Sequence, residues 1–122
     1  MTARSEKLRN ERLASCSAFA TALTDLKRAV VSLWFQRRDD PESKGTRLAW
    51  IEADRLGATA EAARFNMLLL LPESSLERLA NDAFDSIERI GRASERADLI
   101  PAEQRFSDAV KSFIEAAART LR

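Results

Sequence analysis

Apolar residues in this chain recur in steps of three and four over four separate stretches, and each stretch ends at a proline or a polar break. That spacing lines one face of an α-helix; a half-buried strand would instead alternate every second residue. The first stripe is Cys16, Phe19, Leu23, Leu26, Val30 and Leu33, bordered by Ala20, Lys27 and Trp34. It predicts a helix from about Ser5 to Arg37, stopped by Asp39, Asp40 and Pro41, with a loop through Gly45. The second stripe, Ala49, Ala53, Leu56, Ala60, Ala63, Met67 and Leu70, predicts a helix from Thr46 to Leu71, before Pro72. Small residues fill most of that seam, which lets a neighbouring helix approach closely. Toward Leu68, Leu69 and Leu71 this helix is apolar on nearly every side, so that end is expected to be deeply buried.

The third helix has a start signal in Ser74 and Glu77, spaced as a capping box before an apolar run. Its stripe is Leu76, Leu79, Ala80, Ala83, Phe84, Ile87 and Ile90, and Gly91 stands near its expected end. A polar link from Ser94 to Asp98 follows, and Pro101 suits the first turn of a fourth helix, where its missing N–H costs nothing. Phe106, Val110, Phe113, Ala117 and Leu121 form the last stripe, with Ile114 alongside.

Four such faces in a chain of 122 residues can be buried only against one another. The expected fold is therefore all-α, an up-down-up-down four-helix bundle with a long N-terminal helix, formed as a single domain over residues 1–122. At about 1.5 Å per residue the first two helices span roughly 35 Å and the last two roughly 30 Å, so the lengths match. Residues 1–12 are charged and have little to bury, so they are expected to fray or overhang the bundle. Composition agrees: Gly and Pro number three each, Tyr is absent, and Ala and Leu dominate over β-branched residues.

Charge and residue inventory narrow the function. Twenty basic residues face nineteen acidic ones, a net charge of +1, whereas a dedicated nucleic-acid binder carries a basic excess. The signs alternate along the chain, as on solvated helix faces. The longest apolar run, Met67 to Leu71, is far short of a membrane span, and no signal peptide is visible, so the expected location is the cytoplasm. With no His and a single Cys16, the chain lacks the parts for a Ser-His-Asp or Cys-His centre, a His- or Cys-ligated metal site, or an internal disulfide. Cys16 falls on an apolar stripe and reads as a buried free thiol. No cofactor is implied.

Two constellations remain. Asp82, Asp85 and Glu88 lie at i, i+3 and i+6, and Glu95 and Asp98 are again three apart. Such pairs on facing helices can hold Mg²⁺ with a phosphorylated substrate, as in the all-α nucleotide pyrophosphohydrolases. Here the second pair falls in the expected link, and Arg78, Arg89 and Arg92 offer the first group ordinary surface pairing, which is the preferred reading. The second constellation is aromatic. Trp34 and Phe35 precede Arg37 and Arg38 at the end of the first helix, and Trp50 begins the second, so all five belong at one end of the bundle. They either cap the core there or form an Arg-flanked aromatic anchor for a partner.

Three stretches resemble a loosely defined set of small helical-bundle proteins of high-GC actinobacteria. They are LRNERLASCSAFATAL (Leu8 to Leu23), ARFNMLLLLPESSLERLANDAF (Ala63 to Phe84) and FSDAVKSFIEAAARTLR (Phe106 to Arg122). The resemblance is one of hydrophobic spacing; it implies a helical bundle and supplies no catalytic residues. Proteins of this kind often carry a transmembrane helix ahead of the charged lead-in, of which this chain would be a freestanding version. The expected function is a non-enzymatic interaction or scaffold module that binds another protein or itself as a homodimer. Trp34, Phe35, Arg37, Arg38 and Trp50 are its first candidate surface, with the Ala seam as the alternative. Exposure of Leu48, Ile51 and Leu69 would favour self-association. A Mg²⁺-dependent phosphohydrolase using Asp82, Asp85 and Glu88 is the enzymatic alternative. Weak nucleic-acid binding through the first turns of the N-terminal helix is the third.

Overall fold

The computed structural model describes residues 2–122. Four helices follow one another: α1 (Ala3–Asp39), α2 (Lys44–Leu70), α3 (Ser74–Gly91) and α4 (Arg96–Thr120). They form an all-α four-helix bundle. Links this short oblige each helix to run against its predecessor. Contacts along the length fix the directions. Arg12 and Gln36 of α1 reach Leu70 and Thr46 of α2, so those two helices are antiparallel. Thr120 near the end of α4 meets Glu73 just before α3, and Trp34 of α1 meets Ala93 just after α3. The order is up-down-up-down.

The packing is less symmetric than a square bundle. α1 touches all three other helices, most extensively α2; α3 rests on α4 and α1; and the backbones of α2 and α3 scarcely approach. The stripe residues explain the hub. Phe19, Leu23 and Leu26 of α1 are buried and project bulk into the centre, where Phe19 meets Phe113 of α4 edge-on, ring centroids 5.3 Å apart. Against them α2 turns Ala53, Ala60 and Met67, and α3 turns Ala80 and Ala83, all buried. The Ala seam of α2 is thus occupied within the chain, by α1.

The helix ends differ from expectation in instructive ways. α1 is helical from Ala3, with Thr2 as its cap, so the charged lead-in continues the helix. Met1 lies outside the described residues. Two arginines of that lead-in tie down distant chain ends: Arg9 Nε donates to the Leu121 carbonyl at 2.9 Å and Arg12 Nε to the Leu70 carbonyl at 3.0 Å. Both acceptors sit at helix C-termini, where a cation opposes the negative end of the dipole. α2 has no basic residue in its own last turn, so α1 supplies it. At the other end of α2, Ser43 accepts the Thr46 N–H at 3.1 Å.

Ser74 was expected to cap α3 but is its first helical residue; Glu73 takes the cap position and makes no side-chain cap hydrogen bond. The tight Leu71–Glu73 turn after Pro72 starts the helix one residue early. Glu95 and Asp98, placed by sequence in a link, instead start α4: Asp98 Oδ2 accepts the Glu95 N–H at 3.1 Å. Pro101 therefore lies beyond the first turn of α4, where it deprives the Ala97 carbonyl of its helical partner. Finally, Leu71 is buried as expected, but Leu69 is 82% exposed.

Candidate interaction surface

The five residues expected to form one aromatic surface divide between two places. Trp34 is 6% exposed, and its indole N–H donates to the Ala93 carbonyl at 2.8 Å. Phe35 stacks edge-on against it at 5.0 Å. The Arg38 guanidinium lies 5.0 Å from the Trp34 ring centroid and donates to the Ser94 carbonyl at 3.2 Å, while Arg96 lies 5.7 Å from Phe35. These contacts lock the end of α1 to the α3–α4 link, and the indole has its partner inside the chain. Trp50 is the opposite case, 56% exposed, and together with Arg37 it borders a groove between α2 and α3.

That groove follows from the scarcity of contact between α2 and α3. α1 provides the floor with Leu26, Val30 and Leu33, to which α3 adds Ile87. The α2 wall carries Ala53, Gly57 and Ala58 and the α3 wall ends at Gly91, residues too small to close the gap. The trough has a volume of about 630 Å³. Beyond Phe84 it is plugged by Arg64, whose guanidinium stands 4.6 Å from the Phe84 ring centroid and donates to Asn81 Oδ1 at 3.0 Å. The Arg64 Nε is buried without a hydrogen-bond partner. Carboxylates stand on both rims, Asp54 and Glu61 on α2 and Asp85 and Glu88 on α3, with Arg37 and Arg92 also present.

α2 has a second apolar series on its outward face. Leu48, Ile51, Ala58, Ala62, Phe65 and Leu69 follow in steps of three and four, interrupted at Arg55, and all are exposed. Among the described residues, five of the nine large exposed apolar side chains belong to α2: Leu48, Trp50, Ile51, Phe65 and Leu69. The signal is in the sequence as a second heptad-like register, of which the sequence reading named Leu48, Ile51 and Leu69, as apolar residues outside the four stripes. Phe65 and the groove residues Asp54, Gly57 and Glu61 were not among them. Alongside, the Arg55 guanidinium donates to both Glu52 oxygens, at 2.6 and 3.0 Å, and holds that carboxyl below its usual range.

The remaining candidates are committed elsewhere. Asp82 lies 3.7 Å from Arg78 and Glu88 lies 2.6 Å from Arg92, leaving Asp85 on the groove wall. Among the described residues no three His, Cys, Asp or Glu side chains gather to hold a metal ion. Cys16 is buried, and burial pushes its thiol up despite a hydrogen bond with Ser15, so the reactive thiolate is disfavoured. In the first turns of α1, Arg9 and Arg12 are used as helix-end partners, which takes them away from a phosphate-binding surface. No helix among the described residues is long and apolar enough to cross a membrane.

Fold and groove together define a helical bundle with one incompletely covered helix and a carboxylate-rimmed apolar trough beside it. The sequence model of the KilB plasmid transfer protein family matches residues 13–121, and the chain belongs to that family. The matched span takes in the hub of α1 and all of α2, α3 and α4. No curated protein and no solved structure matches the chain significantly.

Proposed function

We propose that this chain serves plasmid transfer as a non-enzymatic interaction module, working in the cytoplasm and binding another protein through α2. The observation that carries the reading is the one-sided packing of α2. This helix rests on α1 with a seam of Ala and Met, yet turns Leu48, Ile51, Phe65 and Leu69 to solvent. Isolated exposed apolar residues are ordinary, but a series in one helical register is the pattern by which a helix packs against a partner helix. Membership in a plasmid transfer family supplies the process. The absence of His argues against acid–base machinery of the usual kind.

The test is plasmid transfer itself. Ile51→Glu combined with Phe65→Glu places charge on the outward face of α2 without touching the core. Transfer frequency is expected to fall at least tenfold while helix content and unfolding midpoint stay near those of the parent. Transfer at the parental frequency, with both charges in place, removes α2 as the working surface.

A further inference from the structure

Shape, charge and glycine placement in the α2–α3 groove point to one kind of occupant. We infer that it receives an amphipathic helix with an apolar face and flanks of Lys or Arg. The inference rests on the reading of the chain as an interaction module, and names the chemistry of the partner.

Shape argues for a helix over a small molecule. From Trp50 to Glu61 the α2 wall runs about three turns, roughly 16 Å, before Arg64 closes the far end. The trough lies open between two helices whose backbones scarcely meet, whereas sites for small ligands bury most of the ligand's surface. A helix laid between α2 and α3 would cover Val30, Trp50, Ala58 and Phe84, the apolar lining residues that the chain leaves partly or fully open, and would restore the neighbour that α2 and α3 lack there.

Charge selects the flanks. Asp54 and Glu61 stand on one rim and Asp85 on the other, so either side of an incoming helix meets a carboxylate. Glu88 and Arg92 pair with each other at 2.6 Å and offset one another, which leaves three carboxylates against Arg37. The same rims turn away nucleic acid, whose phosphates would face them. A second copy of the chain is a poor occupant as well. Its most basic helical segment, the start of α1, has Arg9 and Arg12 engaged with the Leu121 and Leu70 carbonyls.

Of the two glycines in the walls, Gly91 ends α3, an ordinary place for glycine, but Gly57 in the middle of α2 has no internal reason to be glycine. Neither has a positive φ. A Cβ on Gly57 would meet only Leu26 Cδ1, at 3.8 Å, and one on Gly91 only Val30 Cγ1, at 3.5 Å, both ordinary contacts. Within a helix, glycine is less favourable than alanine by about 1 kcal/mol. What glycine provides at these places is bare backbone beside the trough, which allows a neighbouring helix to come close.

The groove carries its own reporter in Trp50, and subtraction of a Trp50→Phe spectrum removes the Trp34 signal. The probes are two synthetic 18-residue amphipathic peptides, Leu and Ala on one face, one with Lys on the flanks and one with Glu. With the full chain, the Lys peptide is expected to shift Trp50 emission to the blue and to bind at least tenfold more tightly than the Glu peptide. The preference should fade with added salt. It should disappear when Asp54→Asn, Glu61→Gln, Asp85→Asn and Glu88→Gln are combined. Gly57→Leu, with helix content confirmed by circular dichroism, should block the shift. Equal affinity for the two peptides overturns the inference, as does no shift with either at millimolar concentration. A dimer in light scattering that the Lys peptide fails to dissociate, and that masks Trp50, also overturns it by giving the groove to a second copy. Because Ile51→Glu and Phe65→Glu lie outside the groove, peptide binding should survive them. Failure of the transfer experiment and failure of this one are thereby separate results.

Discussion

Trp34 and Trp50 stand at the same end of the bundle, on helices that touch along their length, and have opposite roles. Trp34 is enclosed between Phe35, Arg38 and the α3–α4 link, and its N–H is satisfied by the Ala93 carbonyl. Trp50 presents more than half its surface to solvent at the mouth of a groove. The difference lies in what each helix packs against. α1 touches all three other helices, and the large side chain near its end is enclosed by the α3–α4 link; α2 packs mainly on α1, meets α3 through Arg64, and turns Leu48, Trp50, Ile51, Phe65 and Leu69 to solvent. Burial of an aromatic here is decided by the number of helices around it, which a local sequence window does not contain.

The strongest way to break this comparison is to truncate both indoles. Trp34→Ala is expected to lower the unfolding free energy by about 3–5 kcal/mol, as for a buried aromatic whose hydrogen-bond partner is also stranded. Trp50→Ala should change it by no more than about 0.5 kcal/mol, as at an ordinary surface position. Chemical denaturation of the two variants decides the matter. Comparable losses would mean that Trp50 is also part of the core, and the groove would lose its standing as a free surface.

The loop between the two tryptophans offers a second, smaller effect. Thr46 is buried, and its hydroxyl lies 2.6 Å from the Asp40 carbonyl and 3.0 Å from the Gln36 carbonyl, joining the end of α1 to the start of α2. Thr46→Val keeps the shape and removes the donor, with an expected loss of about 0.5–1.5 kcal/mol for the hydrogen bond itself, since both carbonyls keep a backbone N–H partner. If stability is unchanged, α2 is held at this end by its seam alone.

Much of the fold was legible because helical periodicity is a local property. The stripes of α1, α3 and α4 are buried nearly residue for residue, and Phe19, Leu23, Phe106 and Phe113 are where the spacing put them. α2 was harder, because it carries two registers. Hydrophobicity alone would bury Leu48, Ile51, Phe65 and Leu69 and expose the alanines. The structure does the reverse, since α1 already fills the interface with Phe19, Leu23 and Leu26 and needs small residues opposite. The anchoring of α1 by Arg9 and Arg12 was not legible either. The acceptors, Leu121 and Leu70, are far away in sequence, and nothing local marks an arginine that will find a helix end. For Glu95 and Asp98 the spacing was visible, but it was weighed only as a metal-ligand pair and set aside as part of a link; three apart is also the spacing of a helix cap. The groove itself depends on helices that fail to meet.

A third prediction separates the needs of the fold from those of the groove. Gly57→Ala adds a methyl group that meets Leu26 at an ordinary distance and removes a mid-helix glycine. Stability is expected to rise by about 0.5–1 kcal/mol. Binding of the Lys-flanked peptide should weaken at the same time. A variant that is less stable than the parent would place Gly57 among the packing requirements of the α1–α2 seam.

The smallest expected effect is a pH dependence confined to the enclosed side of the molecule. Burial raises the Cys16 thiol above its ordinary value, so the folded chain holds this proton at a pH where the unfolded chain has released it. The contribution is fully present below the unfolded thiol's pKa, about 8.5, and is lost as pH rises from there toward the folded value. Unfolding free energy measured from pH 7 to pH 10 should therefore fall more steeply for the parent than for Cys16→Ala. The Ala variant starts lower because a buried side chain has been shortened, and the two curves approach each other as pH rises. Parallel curves would mean that the thiol at position 16 ionises as easily in the folded chain as in the unfolded one. The end of the α1 stripe facing α4 would then be wetter than the tightly packed Phe19–Phe113 contact beside it implies.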